Sequence, residues 1–246
     1  MQDVDMNQEV HNALQRSYYE TRSRELNHRM VIKRTPYVLN HAQHVVDFAE
    51  LKLTDKVLDM GCGMGKFTIP VREMGYDLDG FDLSDILLDD LRAATPENDH
   101  RQAICGDALN IDPSLYGQYD KIIGFFTLHH MLDLKRAFTE FRKVLKPGGR
   151  VTFVEPNPAC PLFWLQITFT PSMSWAAEKG IFNLTRRKMR DVVAHAGLTN
   201  LRISHYGVLP PALRNRGTGA AIERTFDKIA PLRPVAAFRL ISADLD

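Results

Sequence analysis

Three glycines at alternate positions, Gly61, Gly63 and Gly65, follow an apolar run that ends in the acid Asp59. A buried strand that opens into side-chain-free backbone lets a nucleotide-like ligand come close to the main chain. A helix that follows offers its amino-terminal N–H groups to the same ligand. The segment therefore reads as a cofactor site in an α/β chain. The dinucleotide fingerprint requires G-x-G-x-x-G. Here the spacing is G-x-G-x-G with an acid two residues upstream, which makes an NAD-type oxidoreductase the weaker reading.

Further segments fall at the spacing of strand–helix units. Asp77 to Ser84 reads as a second strand ending in Asp82, where an acid accepts from both hydroxyls of a ribose. From Lys56 onward strands and helices alternate, with strands expected at Lys56–Asp59, Leu78–Asp82, Gln102–Cys105, Lys121–Phe126 and Arg150–Glu155. That alternation predicts a mainly parallel sheet covered on both faces. Thr35-Pro36 supplies a helix start, Asn7 to Met30 reads as one or two covering helices, and Thr185 to Ala196 reads as a capped helix ending at Gly197. Leu201–Tyr206 and Ala236–Ser242 read as a final antiparallel pair, separated by a proline- and arginine-rich insertion with a helix near Ala220–Ile229.

The glycine segment, Asp82, Cys105-Gly106-Asp107-Ala108-Leu109 and Leu145-Lys146-Pro147-Gly148-Gly149-Arg150 together resemble, in order, the motifs of the class I S-adenosylmethionine-dependent methyltransferases. The resemblance is good from Asp55 to Glu155 and loose in the flanks. It implies a Rossmann-like α/β fold whose mainly parallel seven-stranded sheet ends in a C-terminal antiparallel hairpin. The cofactor implied is S-adenosylmethionine, leaving as S-adenosylhomocysteine. Asp82 would hold the ribose and Asp107 the adenine amino group. Asp59 would either hold the glycine turn through backbone N–H groups or contact the methionine end. Cys62 reads as a small residue beside the ligand, and Leu83, Ala108 and Phe125 are expected in the same site. The family often folds an aromatic residue over the cofactor, which points to Tyr18 and, on the substrate side, Tyr19. One methyltransferase domain is expected over residues 1–246, with a helical cover at 1–50, a cofactor core at 51–155 and a substrate-side region at 156–246.

Phe125 to Met131 follows the fourth strand, where the crevice of such a sheet opens toward substrate. One of His129 and His130 is expected to take a proton from the nucleophile. Many small-molecule methyltransferases that this segment resembles carry a histidine or a glutamate–histidine pair there. Transfer from a sulfonium is an in-line displacement, so positioning alone can supply much of the rate. Beyond Glu155, Phe163, Trp164, Phe169 and Trp175 read as an apolar lid or a surface that meets lipid. Arg214 and Arg216 are the basic residues expected to meet a carboxylate or phosphate on the substrate.

Composition narrows the function. A net charge of +1 directs the chain toward neither nucleic acid nor an anionic surface. Phe125-Phe126-Thr127-Leu128 stands where a base-flipping amino-methyltransferase would carry a proline-proline-aromatic motif, and Asn157-Pro158 lies one strand too late. No acid cluster marks a metal-dependent catechol-type site, so no metal is expected. Three scattered cysteines imply reduced thiols and a cytoplasmic setting. Pro161–Phe169, the longest apolar stretch, is too short to span a bilayer. The expected activity is methyl transfer to an oxygen, nitrogen or carbon nucleophile of a small or lipid-like molecule, with peripheral membrane contact left open. The alternative is a catalytically silent cofactor-binding partner subunit.

Overall fold

Val57 and Leu58, Ile122 and Ile123, and Phe153 and Val154 are consecutive buried pairs whose side chains leave opposite faces of their strands. Such doubly apolar strands are stable only with helices on both sides, and the computed structural model of this chain has that arrangement. It describes residues 2–25, 32–169 and 179–246. The strands are β1 (Lys56–Met60), β2 (Asp77–Asp82), β3 (Ala103–Cys105), β4 (Tyr119–Phe125), β5 (Leu145–Pro156), β6 (Thr199–Tyr206) and β7 (Phe238–Asp244). They form one sheet of order β3-β2-β1-β4-β5-β7-β6, parallel except for β7, which runs antiparallel to both neighbours.

The helices are α1 (Gln2–Glu25), α2 (Pro36–Ala49), α3 (Thr68–Glu73), α4 (Asp85–Ala93), α5 (Leu134–Val144), α6 (Pro161–Phe169), α7 (Arg186–His195), α8 (Pro211–Arg214) and α9 (Gly219–Lys228). On one face α5 and α7 lay Phe138, Phe141, Met189 and Val193 over Leu58, Ile122 and Phe153. On the other, α2 and α3 lay Val38, Val45, Val46 and Val71 over Val57, Ile123 and Val154. α2 starts where expected, with Thr35 accepting from the Val38 N–H and Pro36 in the first turn. Asp133 caps α5 by accepting from the Lys135 and Arg136 N–H groups.

The expected elements recur with shifted ends. β4 begins at Tyr119 and β1 runs through Met60, so Asp59 is inside the strand rather than its last residue. The segment Leu145 to Arg150, expected as a turn into β5, belongs to the strand. Leu145 pairs with Tyr119 and pairing resumes at Arg150 with Lys121, so the intervening residues bulge out, with Gly148 at φ +77°. The first covering element is one helix, α1, and Met30 lies outside the described residues. Among the described residues no helix is long and apolar enough to cross a membrane.

Candidate active site

Strand order reverses between β1 and β4, and the crevice outside the carboxyl ends of the strands there is where open α/β sheets bind ligands. A cavity of about 800 Å³ occupies that place, walled by the ends of β1, β2, β4 and β5 and covered by α1.

The three glycines of the first loop do different things. At Gly61, φ +78°, a side chain would run into Thr127; at Gly65, φ +86°, a Cβ would come within 2.6 Å of Leu91. Gly63, φ +51°, lines the cavity and has nothing within 4 Å of where its Cβ would be. The packing fixes the loop and leaves its middle open for a ligand. Asp82 closes the arrangement: one carboxylate oxygen accepts from the Gly63 N–H at 2.8 Å, the other from the Ser84 N–H at 3.0 Å. Burial pushes the Asp82 carboxyl up, and hydrogen bonds from the Ser84, Gly63 and Leu83 N–H groups pull it back. An adenosine with its ribose at Asp82 suits this cradle.

Asp59 lies behind the loop rather than on the wall. It is buried, accepts from the Thr68 hydroxyl at 2.7 Å, and is pushed by burial to about 7. It anchors the start of α3 through the Thr68 hydroxyl. Asp107 reaches the cavity with its carboxylate already engaged, one oxygen by the Leu109 N–H at 2.8 Å, the other by Asn12 at 2.8 Å and Gln8 at 3.4 Å from α1. Cys62, Leu83, Ala108 and Phe125 line the cavity as expected.

At the end of β4 the chain turns through Phe126, which holds a left-handed φ of +57°, a strained conformation for a bulky residue. The turn sends the next N–H groups toward β5. Glu155, wholly buried at the end of β5, accepts from the Thr127 and Leu128 N–H groups at 2.9 and 2.7 Å through one oxygen. Its other oxygen meets His129 Nδ1 at 2.5 Å. With Glu155 as the acceptor, Nδ1 is the donor of this pair, the arrangement in which a carboxylate orients an imidazole. Both His129 and His130 line the cavity, their ring centroids 3.8 Å apart. His130 Nε2 meets the Tyr19 hydroxyl of α1 at 2.5 Å.

The remaining wall is apolar and aromatic. Phe125 stacks on Phe67 at 4.4 Å, Tyr37, Phe126 and Phe238 extend the surface, and Val208 to Pro211 close it. Four sequence expectations are corrected here. Tyr18 does not line the cavity; it meets the edge of Tyr19, which does. Trp164 turns away, stacking on Phe182 at 5.1 Å and donating its indole N–H to the Pro158 carbonyl, while Leu162 and Phe163 reach the cavity. Arg214 is buried in an ion pair with Glu223, because α9 packs that acid beside it, and Arg216 is exposed and off the wall. Trp175 lies outside the described residues. Sequence reasoning missed Glu155 as well as Lys66, Thr127 and Phe238 of the wall. A single acid closing the β-branched and aromatic run Val151-Thr152-Phe153-Val154 was the available signal for Glu155.

Asp82→Ala is expected to weaken binding of S-adenosylhomocysteine at least tenfold, since each hydrogen bond to a charged group is worth about 1.5 to 3 kcal/mol. Calorimetry checks this, and equal affinities would place the ribose elsewhere.

Comparison with known proteins gives the same picture. A demethylmenaquinone methyltransferase of Paenarthrobacter aurescens is 32% identical over 120 residues, 48% of this chain and 46% of that protein. An uncharacterized methyltransferase of Mycobacterium tuberculosis is 37% identical over 99 residues, 40% of this chain and 39% of that protein. The chain spans about half the length, or less, of these curated relatives. A crystal structure from Thermotoga maritima, an S-adenosylmethionine-dependent methyltransferase described as a possible histamine N-methyltransferase, has the same fold. It covers 94% of this chain and 99% of its own, with a TM-score of 0.64 and 16% identity. Residues 33–203 match a methyltransferase domain family, and with more than half of its length so matched the chain belongs to that family, whose class I members use S-adenosylmethionine.

Proposed function

We propose that this protein transfers a methyl group from S-adenosylmethionine to an ionisable hydroxyl or acidic carbon of a small, apolar, ring-bearing molecule. The carrying observation is that His129, held from behind by Glu155, and the glycine loop with Asp82 face one cavity. The cofactor supplies a methyl group on a positively charged sulfur, with a neutral thioether as leaving group. Asp82 and the open Gly63 hold the adenosine side, and Asp107 with α1 closes over it. Tyr37, Phe126 and Phe238 exclude water and seat the acceptor. His129 takes the acceptor's proton at Nε2 as the new bond forms, and Glu155 steadies the resulting imidazolium. A positioned base of this kind contributes about two to four powers of ten, with in-line alignment supplying further rate.

The wall also bears on the nucleophile. Its carboxylates, Asp82 and Asp107, both stand over β2 and β3 at the cofactor end. Among the described residues no carboxylate lines the aromatic end, so a protonated amine there would have only ring faces to meet its charge, whereas a neutral hydroxyl would have an imidazole to receive its proton. Demethylmenaquinone, the acceptor in the names of several curated relatives, is an apolar ring of that class. Arg214 and Arg216 contribute no anion-binding end to this acceptor, because neither reaches the cavity.

The test is incubation with methyl-labelled S-adenosylmethionine and a panel containing a naphthol, a hydroquinone and a phenethylamine, with product mass read directly. Label on the hydroxylated rings is the expected result. Binding of S-adenosylhomocysteine without transfer to any member would favour the silent-subunit alternative, and label on the amine alone would overturn the acceptor class.

A further inference from the structure

Along α1 the residues that line the cavity are Gln8, His11, Asn12, Gln15, Arg16 and Tyr19, spaced three and four apart on one helical face. That face is polar, while Val10 and Leu14 stand outside it, 55% and 65% exposed. A helix that turns its polar side inward is held by directed hydrogen bonds rather than by apolar burial, so its partners decide where it sits. Those partners lie on three loops. Ser84 after β2 donates its hydroxyl to Glu20 at 2.8 Å, Asp107 after β3 accepts from Asn12, and His130 after β4 meets Tyr19 at 2.5 Å.

At Asp107 the amides of α1 add what a turn does not supply. The Leu109 N–H donates to one carboxyl oxygen at 2.8 Å, the bond an aspartate makes to its own turn. The other oxygen accepts from Asn12 Nδ2 at 2.8 Å and Gln8 Nε2 at 3.4 Å, side chains 95 and 99 residues away in the chain. Gln8 Nε2 also donates to Asn12 Oδ1 at 2.9 Å, which fixes the way the Asn12 amide faces. Gln8 and Asn12 are buried, at 8% and 9% exposure, and a buried amide is stable only with its partners in place. A carboxyl group so held still has room for a further donor.

We infer that Asn12, braced by Gln8, is a specificity-determining residue: by holding Asp107 it makes the cavity select the 6-amino group of the cofactor's adenine, and only a 6-aminopurine then secures α1 over the site. The inference rests on the methyl-transfer reading only through its donor, with Asp107 at the adenine end. An exocyclic amino group brings a further N–H to the carboxyl. A 6-oxo group brings an oxygen instead, which sets acceptor against acceptor and drives the carboxyl away together with the amides bonded to it. Tyr19 follows Asn12 by about two turns of the same helix, so recognition of the base and the cover over His130 move together.

The experiment uses the full chain with S-adenosylhomocysteine and its 6-oxo analogue S-inosylhomocysteine. By calorimetry wild type should prefer the adenine form by at least about tenfold. Asn12→Leu keeps the shape of the side chain and removes the amide. It should weaken the adenine form about tenfold and leave the 6-oxo form within about twofold, so that most of the preference disappears. If Asn12 is only a structural clasp for α1, both ligands weaken in parallel and the preference stays intact, which overturns the inference. A second measurement needs no variant: backbone hydrogen exchange over residues 8–20 at saturation with each ligand. The adenine form should slow exchange there at least about tenfold more than the 6-oxo form, and equal slowing overturns the inference even where Asn12→Leu does not fold. Equal affinity of wild type for the two ligands overturns it and leaves the cofactor assignment standing, whereas binding of neither overturns both.

Discussion

Alanine at His129 is expected to lower kcat by about two to four powers of ten while S-adenosylhomocysteine affinity stays within about twofold. The expectation follows from the place of its ring. Nδ1 is spent on Glu155 at 2.5 Å, and the ring lines the cavity between the cofactor loop and the aromatic wall. None of the hydrogen bonds that hold Asp82, Gly63 or Asp107 involves His129, so the donor side should survive its loss. Glu155→Gln should reproduce much of the effect, because an amide cannot accept on both sides as the carboxylate does. His130 is placed differently. Its Nε2 meets Tyr19 and its carbonyl accepts from His11, so alanine there should act through the fit of α1. Initial rates and calorimetry on the single variants separate these roles. Full activity in His129→Ala would mean that catalysis proceeds by positioning alone.

The cofactor half of this site is legible in the sequence because its signals are local. Gly61, Gly63 and Gly65 need positive φ or open space, and Asp82 closes a short strand one βα unit later, so a few residues carry each inference. The sheet is legible for a related reason: consecutive apolar residues such as Ile122 and Ile123 have no stable place except between two helical layers. The acceptor half depends on pairs made across the fold. His129 and Glu155 are joined only because β4 and β5 are parallel neighbours, and no spacing rule links positions 26 residues apart. Between two adjacent histidines, the sequence offers no reason to choose one. The same limit explains Arg214. A basic residue after a proline pair reads as a ligand for an anion until α9 is seen to place Glu223 against it. Trp164 fails similarly: helical position on α6 decides which of Leu162, Phe163 and Trp164 faces inward, and these three consecutive residues are all apolar.

Arg214→Ala is the change expected to cost most in stability, about 3 to 5 kcal/mol, because it strips the partner from a buried acid. Arg214 and Glu223 are 8% and 4% exposed, and Arg214 also donates to Asn40 of α2 at 3.0 Å. Glu223 has a second role, since its other oxygen accepts from the Val208 and Leu209 N–H groups at 3.4 and 3.2 Å and so fixes the segment that closes the aromatic end of the cavity. Left without its cation, that carboxylate would have to be neutralised or drawn toward water, and the Val208 to Pro211 wall would move with it. Urea unfolding should show the midpoint falling, and for a chain of this size the melting temperature should drop by roughly 10 °C. Arg216→Ala, at an exposed position, should change stability by less than about 0.5 kcal/mol. The two arginines therefore separate a buried structural ion pair from an exposed side chain. A substrate-binding Arg214 would raise KM in a protein as stable as wild type, and that outcome would return it to the active site. An unstable variant whose remaining folded fraction turns over normally would confirm that the ion pair holds the wall and leaves the acceptor to the aromatic rings.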